Sequence, residues 1–407
     1  MTAMMSALRD APWLSAERAS AWGKILAVTS ALVALALIGA THGGVVPDFW
    51  GRPLSADFTS FWTAARLASD GMPEAAWNPA AHAAAQQASF SPDAGYGTDY
   101  YAFFYPPPFL LICLPLALLP YNTALAVWLA ATGAAYFAVI RSLLPSKWAA
   151  LAALAFPAVL VNAGNGQNGA LSTALMGAAA LQLDRRPRFA GACLGALCFK
   201  PQLALLVVPA LVVARRWRSL GWAAGTAGVL CLGSLLVFGE KAWQGFLANA
   251  PLAKMALEAG LVGFPKMTSS FAAMRLLGAT PLTAWSVQSV VSLAALIAVL
   301  SVSRRRPGAA AEGATMAVAA CLATPFLLTY DLMLIAVPLA WIAARAGRGG
   351  YLPWEKLVLV TAFALPLVAG PLALHTGAPV APVVLTALLV IVVRRSRPAP
   401  TALAYGG

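Results

Sequence analysis

Apolar runs recur along the whole length of this chain, and they decide what it can fold into. Residues 25–40, 149–161, 285–302 and 380–393 carry almost no ionisable side chain. Crossing a hydrocarbon core about 30 Å thick takes roughly 17–25 helical residues. A water-soluble domain is about 25% charged, whereas only 10% of these 407 residues are charged, 60% are hydrophobic and mean hydropathy is +0.76. Too little polar surface exists to cover such a chain in water. The pattern therefore predicts an all-α polytopic membrane protein.

The first apolar run follows Arg9, Arg18 and Lys24. No small-residue cleavage site follows it before Pro47, and many spans come later, so it reads as a retained first helix. The net charge of +13 could suggest nucleic acid, but its distribution excludes that partner. Arg185-Arg186-Arg188, Arg215-Arg216-Arg218, Arg304-Arg305-Arg306 and Arg394-Arg395-Arg397 each end an apolar run. Charge so placed orients helices towards the cytoplasm and anionic lipid. Cys113, Cys193, Cys198, Cys231 and Cys321 all lie inside apolar segments, as packing residues do. His42, His82 and His375 are scattered and form no ligand spacing, so no metal or other cofactor is indicated.

Spans are expected near 24–42, 122–143, 148–162, 168–183, 189–199, 201–214, 219–238, 281–303, 309–323, 329–345, 355–373 and 378–393. Outer loops fall at 43–121 and 239–280, and a cytoplasmic tail at 394–407. The run 106–120 is broken by Pro106-Pro107-Pro108 and Pro115. Counting it as a span would put every later basic cluster on the wrong side, so it reads as interfacial or re-entrant. The resulting 12 crossings leave both termini cytoplasmic. They place 20 of the 27 Lys and Arg residues inside and nine of the 14 acids outside, as the positive-inside rule requires. In the first outer loop, 58–68 and 79–88 have the composition of amphipathic helices beside the membrane.

Several spans are short. At 1.5 Å per residue, 189–199 rises only about 16 Å and 201–214 about 21 Å. Their shared turn, Lys200-Pro201-Gln202, must lie below the outer surface. So must Gly164-Asn165-Gly166-Gln167-Asn168-Gly169, between two other short runs. Irregular backbone at that depth needs protein or water around it, which predicts a hydrophilic recess on the outer side. Thr324-Pro325 and Thr329-Tyr330-Asp331 supply a third polar point there. Asp331 could cap its helix, serve a site, or do both. Asp57, ahead of 58–68, could be an N-cap or a proton-accepting carboxylate, with Phe58, Phe61 and Trp62 anchoring the segment at the interface. Lys200 could snorkel to the surface or hold a buried phosphate as a point charge.

Five strings occur in one order: Asp57-Phe58 through Phe61-Trp62, Tyr105-Pro106-Pro107-Pro108-Phe109, Gly166-Gln167-Asn168-Gly169, Phe199-Lys200-Pro201-Gln202 and Thr329-Tyr330-Asp331-Leu332. Together they resemble glycosyltransferase family 87, the polyprenyl-phosphate-mannose-dependent mannosyltransferases of the GT-C fold, across about residues 45–345. The resemblance implies a GT-C core module over 1–238, a second periplasmic loop over 239–280 and C-terminal spans over 281–393. It implies an inverting transfer of a sugar, mannose by resemblance, from a polyprenyl-phosphate donor to a glycolipid or glycan acceptor. The reaction would take place on the periplasmic face of a bacterial inner membrane. Asp57 takes the catalytic position as general base, and Lys200 faces the donor phosphate, with Lys266 and Arg275 as further phosphate contacts. Tyr105, Gln167, Gln202, Tyr330 and Asp331 line the substrate pocket. No His stands near Asp331, which departs from the family pattern. The rival reading is a lipid-linked-sugar flippase or secondary transporter. Transporters show paired helix breaks in two matching halves, whereas the breaks here concentrate in the first half.

Overall fold

The computed structural model describes residues 2–40, 55–90 and 100–397. His42 and Arg52, and the parts of the first outer loop and tail at 43–54, 91–99 and 398–407, lie outside the described residues. Within them the chain is helical, with no strand; the one isolated antiparallel bridge joins Met267 to Leu328.

Five helical stretches are long and apolar enough to cross a membrane: Tyr121–Leu143, Trp217–Ala259, Pro281–Arg305, Thr329–Gly349 and Glu355–Thr376. Trp22, Val229, Leu236, Val290 and Leu374, on the outside of the bundle, are each more than 60% exposed. Only lipid makes such a surface stable, because the same side chains in water would forfeit the apolar burial that drives folding.

In chain order, α1 (Thr2–Asp10) and α2 (Ala16–Ala40) precede the first polar segment, which holds α3 (Phe58–Ser69) and α4 (Pro79–Ser89). The Pro-rich run forms a short α5 (Pro107–Cys113) and a 3₁₀ turn at Leu114–Leu118 that pack on α3. After α6 (Tyr121–Leu143), prolines divide the apolar sequence. Pro157 separates α7 (Ala149–Ala155) from α8 (Pro157–Asn165). α9 (Gly169–Gln182) and α10 (Pro187–Ala196) follow, and the Lys200-Pro201 corner leads to α11 (Pro201–Ala204) and α12 (Val207–Val213). A proline lacks the amide its helix needs, and α8, α10 and α11 each begin at one, whereas the α8–α9 break falls at Gly166, whose φ is +66°. The expected span at 148–162 is divided at Pro157, and that at 201–214 at residues 205–206, so each is two pieces rather than one rod.

α13 (Trp217–Ala259) is bent at Gly239, whose φ of 74° and ψ of 175° are non-helical. The bend falls where the apolar stretch gives way to Glu240 and Lys241, so the second half of α13 is the start of the polar segment at 239–280. α14 (Ser270–Leu276), α15 (Pro281–Arg305), α16 (Ala309–Ala323), α17 (Ala336–Gly349), α18 (Glu355–Thr376) and α19 (Ala381–Arg395) complete the chain, with a 3₁₀ segment at Thr329–Ile335 ahead of α17.

α16 is the centre of the bundle. Ala309 and every residue from Ala311 to Ala323 are buried, against α9, α15, α17 and α19. Its Ala-rich surface lets neighbouring backbones approach closely, the main source of cohesion between helices in lipid. The buried Glu312 is matched by Arg216, which donates to both carboxylate oxygens at 2.7 Å and to Asp184 at 2.8 Å. Arg216 thus fastens the bases of α9, α13 and α16 together, unlike its solvent-facing neighbours Arg215 and Arg218. A buried Glu355–Arg395 pair likewise joins α18 to α19.

Candidate active site at the outer turns

The site is assembled by an aromatic ladder. Phe58 and Phe61 on α3 are fully buried. Phe61 meets Tyr105 at 5.3 Å and Phe109 at 4.9 Å, and Phe109 stacks on Phe199 at 5.2 Å. The residue before Phe58 is Asp57 and the residue after Phe199 is Lys200, so the ladder sets the spacing of two charged side chains far apart in sequence. Phe58 and Phe61 are core residues, not the interfacial anchors expected from sequence. Trp62 is half-buried and donates its indole N–H to Leu119 O at 3.0 Å.

Asp57 stands at the start of α3 in a helical conformation, and its side chain caps no backbone amide. The capping alternative is thereby replaced by another bond: Gln167 Nε2 donates to Asp57 Oδ2 at 2.9 Å. Gln167 Oε1 in turn accepts from the Tyr105 hydroxyl at 3.1 Å. Just upstream, Ser55 Oγ donates to Ala163 O at 2.8 Å and Ser55 O accepts from Tyr121. These bonds tie the Asp57 segment to the turn between α8 and α9.

Burial raises the Asp57 pKa above the usual carboxylate value. The Gln167 bond and the positive charges of Lys266 and Lys200 oppose the rise, while the negative charge of Asp331 adds to it. Asp57 as a residue is half-buried. Among the cations, Lys266 exerts the stronger pull and Lys200 the weaker.

Lys200 is only 3% exposed, which excludes the snorkelling alternative. Its ammonium donates to Asp331 Oδ1 at 2.5 Å and lies 5.9 Å and 5.6 Å from the ring centroids of Tyr105 and Tyr330. Asp331 does both things its position allowed. Oδ1 takes Lys200, and Oδ2 accepts from the Leu328 amide at 3.2 Å at the head of the 3₁₀ segment.

The three polar turns converge, as their depths predicted. Thr324 Oγ1 reaches Gln202 O at 3.4 Å. A Cβ on Gly169 would fall 2.5 Å from Tyr330 O, so only glycine permits the α9 start to meet the 329–335 segment this closely. Asn162, which the sequence reading passed over, holds that glycine by accepting from its amide at 2.8 Å. Its signal was an amide side chain near the end of an otherwise apolar run.

Gln202 and Tyr105 are half-buried, and Lys266 is exposed. Lys266 belongs to a loop pinned to the same region by the Met267–Leu328 bridge and by Thr268 N donating to Leu327 O at 2.8 Å. Arg275 is differently engaged. It donates to Ala279 O at 2.7 Å and to Glu258 O at 3.4 Å, and lies over the Phe264 ring. Its guanidinium braces the segment at 258–279 and joins none of the bonds around Asp57.

The arrangement offers a proton-accepting carboxylate, an exposed cation and a buried ion pair with tyrosines around it. Among the described residues no group of three His, Cys, Asp or Glu side chains could hold a metal ion. Comparison with known protein families matches residues 103–329 to glycosyltransferase family 87, more than half of the chain. The match takes in Tyr105, Gln167, Lys200, Gln202, Lys266 and Arg275, while Asp57, Tyr330 and Asp331 flank it. No curated protein and no solved structure matches.

Proposed function

The chain belongs to glycosyltransferase family 87, and from that premise we propose that it moves a sugar from a polyprenyl-phosphate carrier to a hydroxyl of a glycolipid or glycan. The family makes it a glycosyltransferase carried on apolar helices. The lipid-linked donor, mannose as the sugar, the GT-C arrangement with 12 crossings and the periplasmic side of a bacterial inner membrane belong to the proposal. One observation carries it: Gln167 bonds both Asp57 and the Tyr105 hydroxyl, and the Tyr105 ring lies 5.9 Å from the buried Lys200 ammonium, so carboxylate and cation share one polar cluster.

In this mechanism the acceptor hydroxyl gives its proton to Asp57 while its oxygen attacks the anomeric carbon. The bond from that carbon to the phosphate oxygen breaks, and its electron pair leaves with polyprenyl phosphate. Inversion follows from the single displacement. A base works best when its pKa approaches the operating pH, which the burial of Asp57 favours. Gln167 fixes the orientation of the carboxylate, leaving Oδ1 for the hydroxyl. Negative charge passes from Asp57 to the departing phosphate, and Lys266 and Lys200 stabilise it there. Gln202, Tyr105 and Tyr330 supply polar and aromatic contacts for the sugar, with Asp331 holding Lys200 in place. Arg275 serves this site through the loop that carries Lys266.

The test uses the purified full chain in lipid vesicles with a synthetic polyprenyl-phosphate mannose and a panel of hydroxyl acceptors. Asp57→Asn should lower transfer by about 10²–10⁴-fold. Undiminished turnover by that variant would remove Asp57 as the base. Turnover by the wild type on a nucleotide sugar, and none on the lipid-linked donor, would remove the donor class. Labelling of an introduced cysteine beside Asp57 from the cytoplasmic side alone would remove the periplasmic placement.

A further inference from the structure

A cavity of ≈ 660 Å³ opens at the other end of the helices that carry the site. α9 and α16 run from the outer turns to this end, about 20 Å at 1.5 Å per residue. Its walls come from the C-terminal ends of α6, α9, α15, α17 and α19 and from the start of α16. Arg185, Arg305, Arg345, Arg348 and Arg397 all line it. Each is exposed, and among the described residues none has a carboxylate partner. The one acid on the wall, Asp184, shares Arg216 with Glu312 and also accepts the Ala309 amide at 2.7 Å, one carboxylate against those five unpaired arginines. The first amide of α16 is thus already satisfied, and the excess positive charge of the cavity is that of its arginines.

Topology alone does not explain this. The positive-inside rule asks for basic residues at helix ends, and Arg186, Arg188, Arg215, Arg218, Arg304 and Arg394 meet it without lining the cavity. Members of three separate basic clusters, together with Arg345 and Arg348 from α17, instead converge on one hollow. Converging like charges repel unless an anion joins them. A guanidinium is a planar fork that matches phosphate oxygens two at a time, and the volume is that of a small-ligand pocket.

We propose that this cavity binds a phosphate group, and that it does so at the membrane boundary, where the phosphate of an anionic phospholipid headgroup is the nearest source. The proposal is independent of the transfer reaction at the outer turns.

Native mass spectrometry of the full chain, released from detergent in the presence of dioleoyl phosphatidylglycerol or dioleoyl phosphatidylcholine, tests it. Phosphatidylglycerol should be retained and phosphatidylcholine should not. Replacing two arginines, Arg345→Gln with Arg348→Gln, should weaken retention about thirtyfold. Arg215→Gln with Arg218→Gln, exposed at the same end but outside the cavity, should leave it intact. Both pairs are solvent-facing, so unchanged melting temperatures report intact folds. Inorganic pyrophosphate as competitor separates the sources. Displacement of the lipid at comparable concentration identifies a soluble phosphate site, and no displacement identifies a headgroup site. Equal retention of the two lipids, or equal loss from the two double variants, overturns the proposal.

Discussion

The buried Lys200–Asp331 pair permits a quantitative test of how the site is held together. Lys200 is 3% and Asp331 8% exposed, so removing either partner strands a charge away from water. Such a loss costs about 3–5 kcal/mol. Lys200→Met leaves a bare carboxylate that, among the described residues, keeps only its bond to the Leu328 amide, and should sit at the upper end of that range. Asp331→Leu leaves an ammonium that Tyr105 and Tyr330 can stabilise by about 0.5–2 kcal/mol, but it also removes the Leu328 cap, worth about 1 kcal/mol. At about 2.1 cal/mol/K per residue over the chain, either single change should lower the melting temperature by about 3.5–6 °C. Residual helix in the detergent-unfolded state makes that a lower bound. The double variant, Lys200→Met with Asp331→Leu, replaces an ion pair by two apolar side chains. It should return to within about 1–2 kcal/mol of wild type, because the Leu328 amide is then the main loss. Thermal unfolding of the four proteins in one detergent gives the coupling energy directly. Additive single effects, or single variants that melt with wild type, would refute the buried pair. Sugar transfer measured in parallel should stay impaired in the double variant, since restored packing does not restore a cation.

Two further changes probe the neighbouring residues. The raised pKa of Asp57 means that its ionised form is disfavoured in the fold, so its contribution to stability is fullest below the unfolded pKa and declines as pH rises through the folded value. Asp57→Asn should therefore melt no lower than wild type at pH 7 while losing transfer, and the acidic limb of the wild-type rate profile should lie above the ordinary aspartate pKa; a variant that melts well below wild type at pH 7 contradicts this. Gly169→Ala would place a Cβ 2.5 Å from Tyr330 O and 2.8 Å from Asn162 Oδ1, and should destabilise the chain by about 1–3 kcal/mol; an alanine variant with wild-type melting and transfer would show that this contact is not needed.

Most helix positions could be read from the sequence because proline and charge punctuate the apolar runs. α16 occupies 309–323 as expected, α6 and α15 begin within a residue of their predicted starts, and the α13 bend falls at Gly239, beside the forecast end of its span. The helices at Phe58–Ser69 and Pro79–Ser89 were legible from composition. Continuity was harder. A run such as 148–162 has the hydropathy of one span, and only the geometry shows how far Pro157 redirects it. The aromatic residues of α3 misled for a related reason: a phenylalanine near a membrane boundary has the same appeal to the interface and to a core, and local sequence does not say which surface is nearer.

Side-chain partners lie beyond that reach. Lys200 and Asp331 are 131 positions apart, and nothing local to either announces the other. Short runs on both sides of Lys200 place it at depth, and depth demands a counter-charge or a neutral lysine. The acids available on the outer side at comparable depth were few, so the pair was constrained by the sequence without being specified by it. The consequence for the proposed transfer is physical. An incoming phosphodiester finds Lys200 already neutralised by Asp331, so Lys266, exposed and carrying the stronger pull on Asp57, makes the first contact. Lys200 gains influence as the leaving phosphate accumulates charge, when its ammonium can be shared between Asp331 and the new monoester. Removing Lys266 should therefore weaken donor binding, and removing Lys200 should slow the bond-breaking step, so KM and kcat should separate the two cations. If both variants raised KM alone, Lys200 would be a binding residue like Lys266 and the division of labour would be wrong.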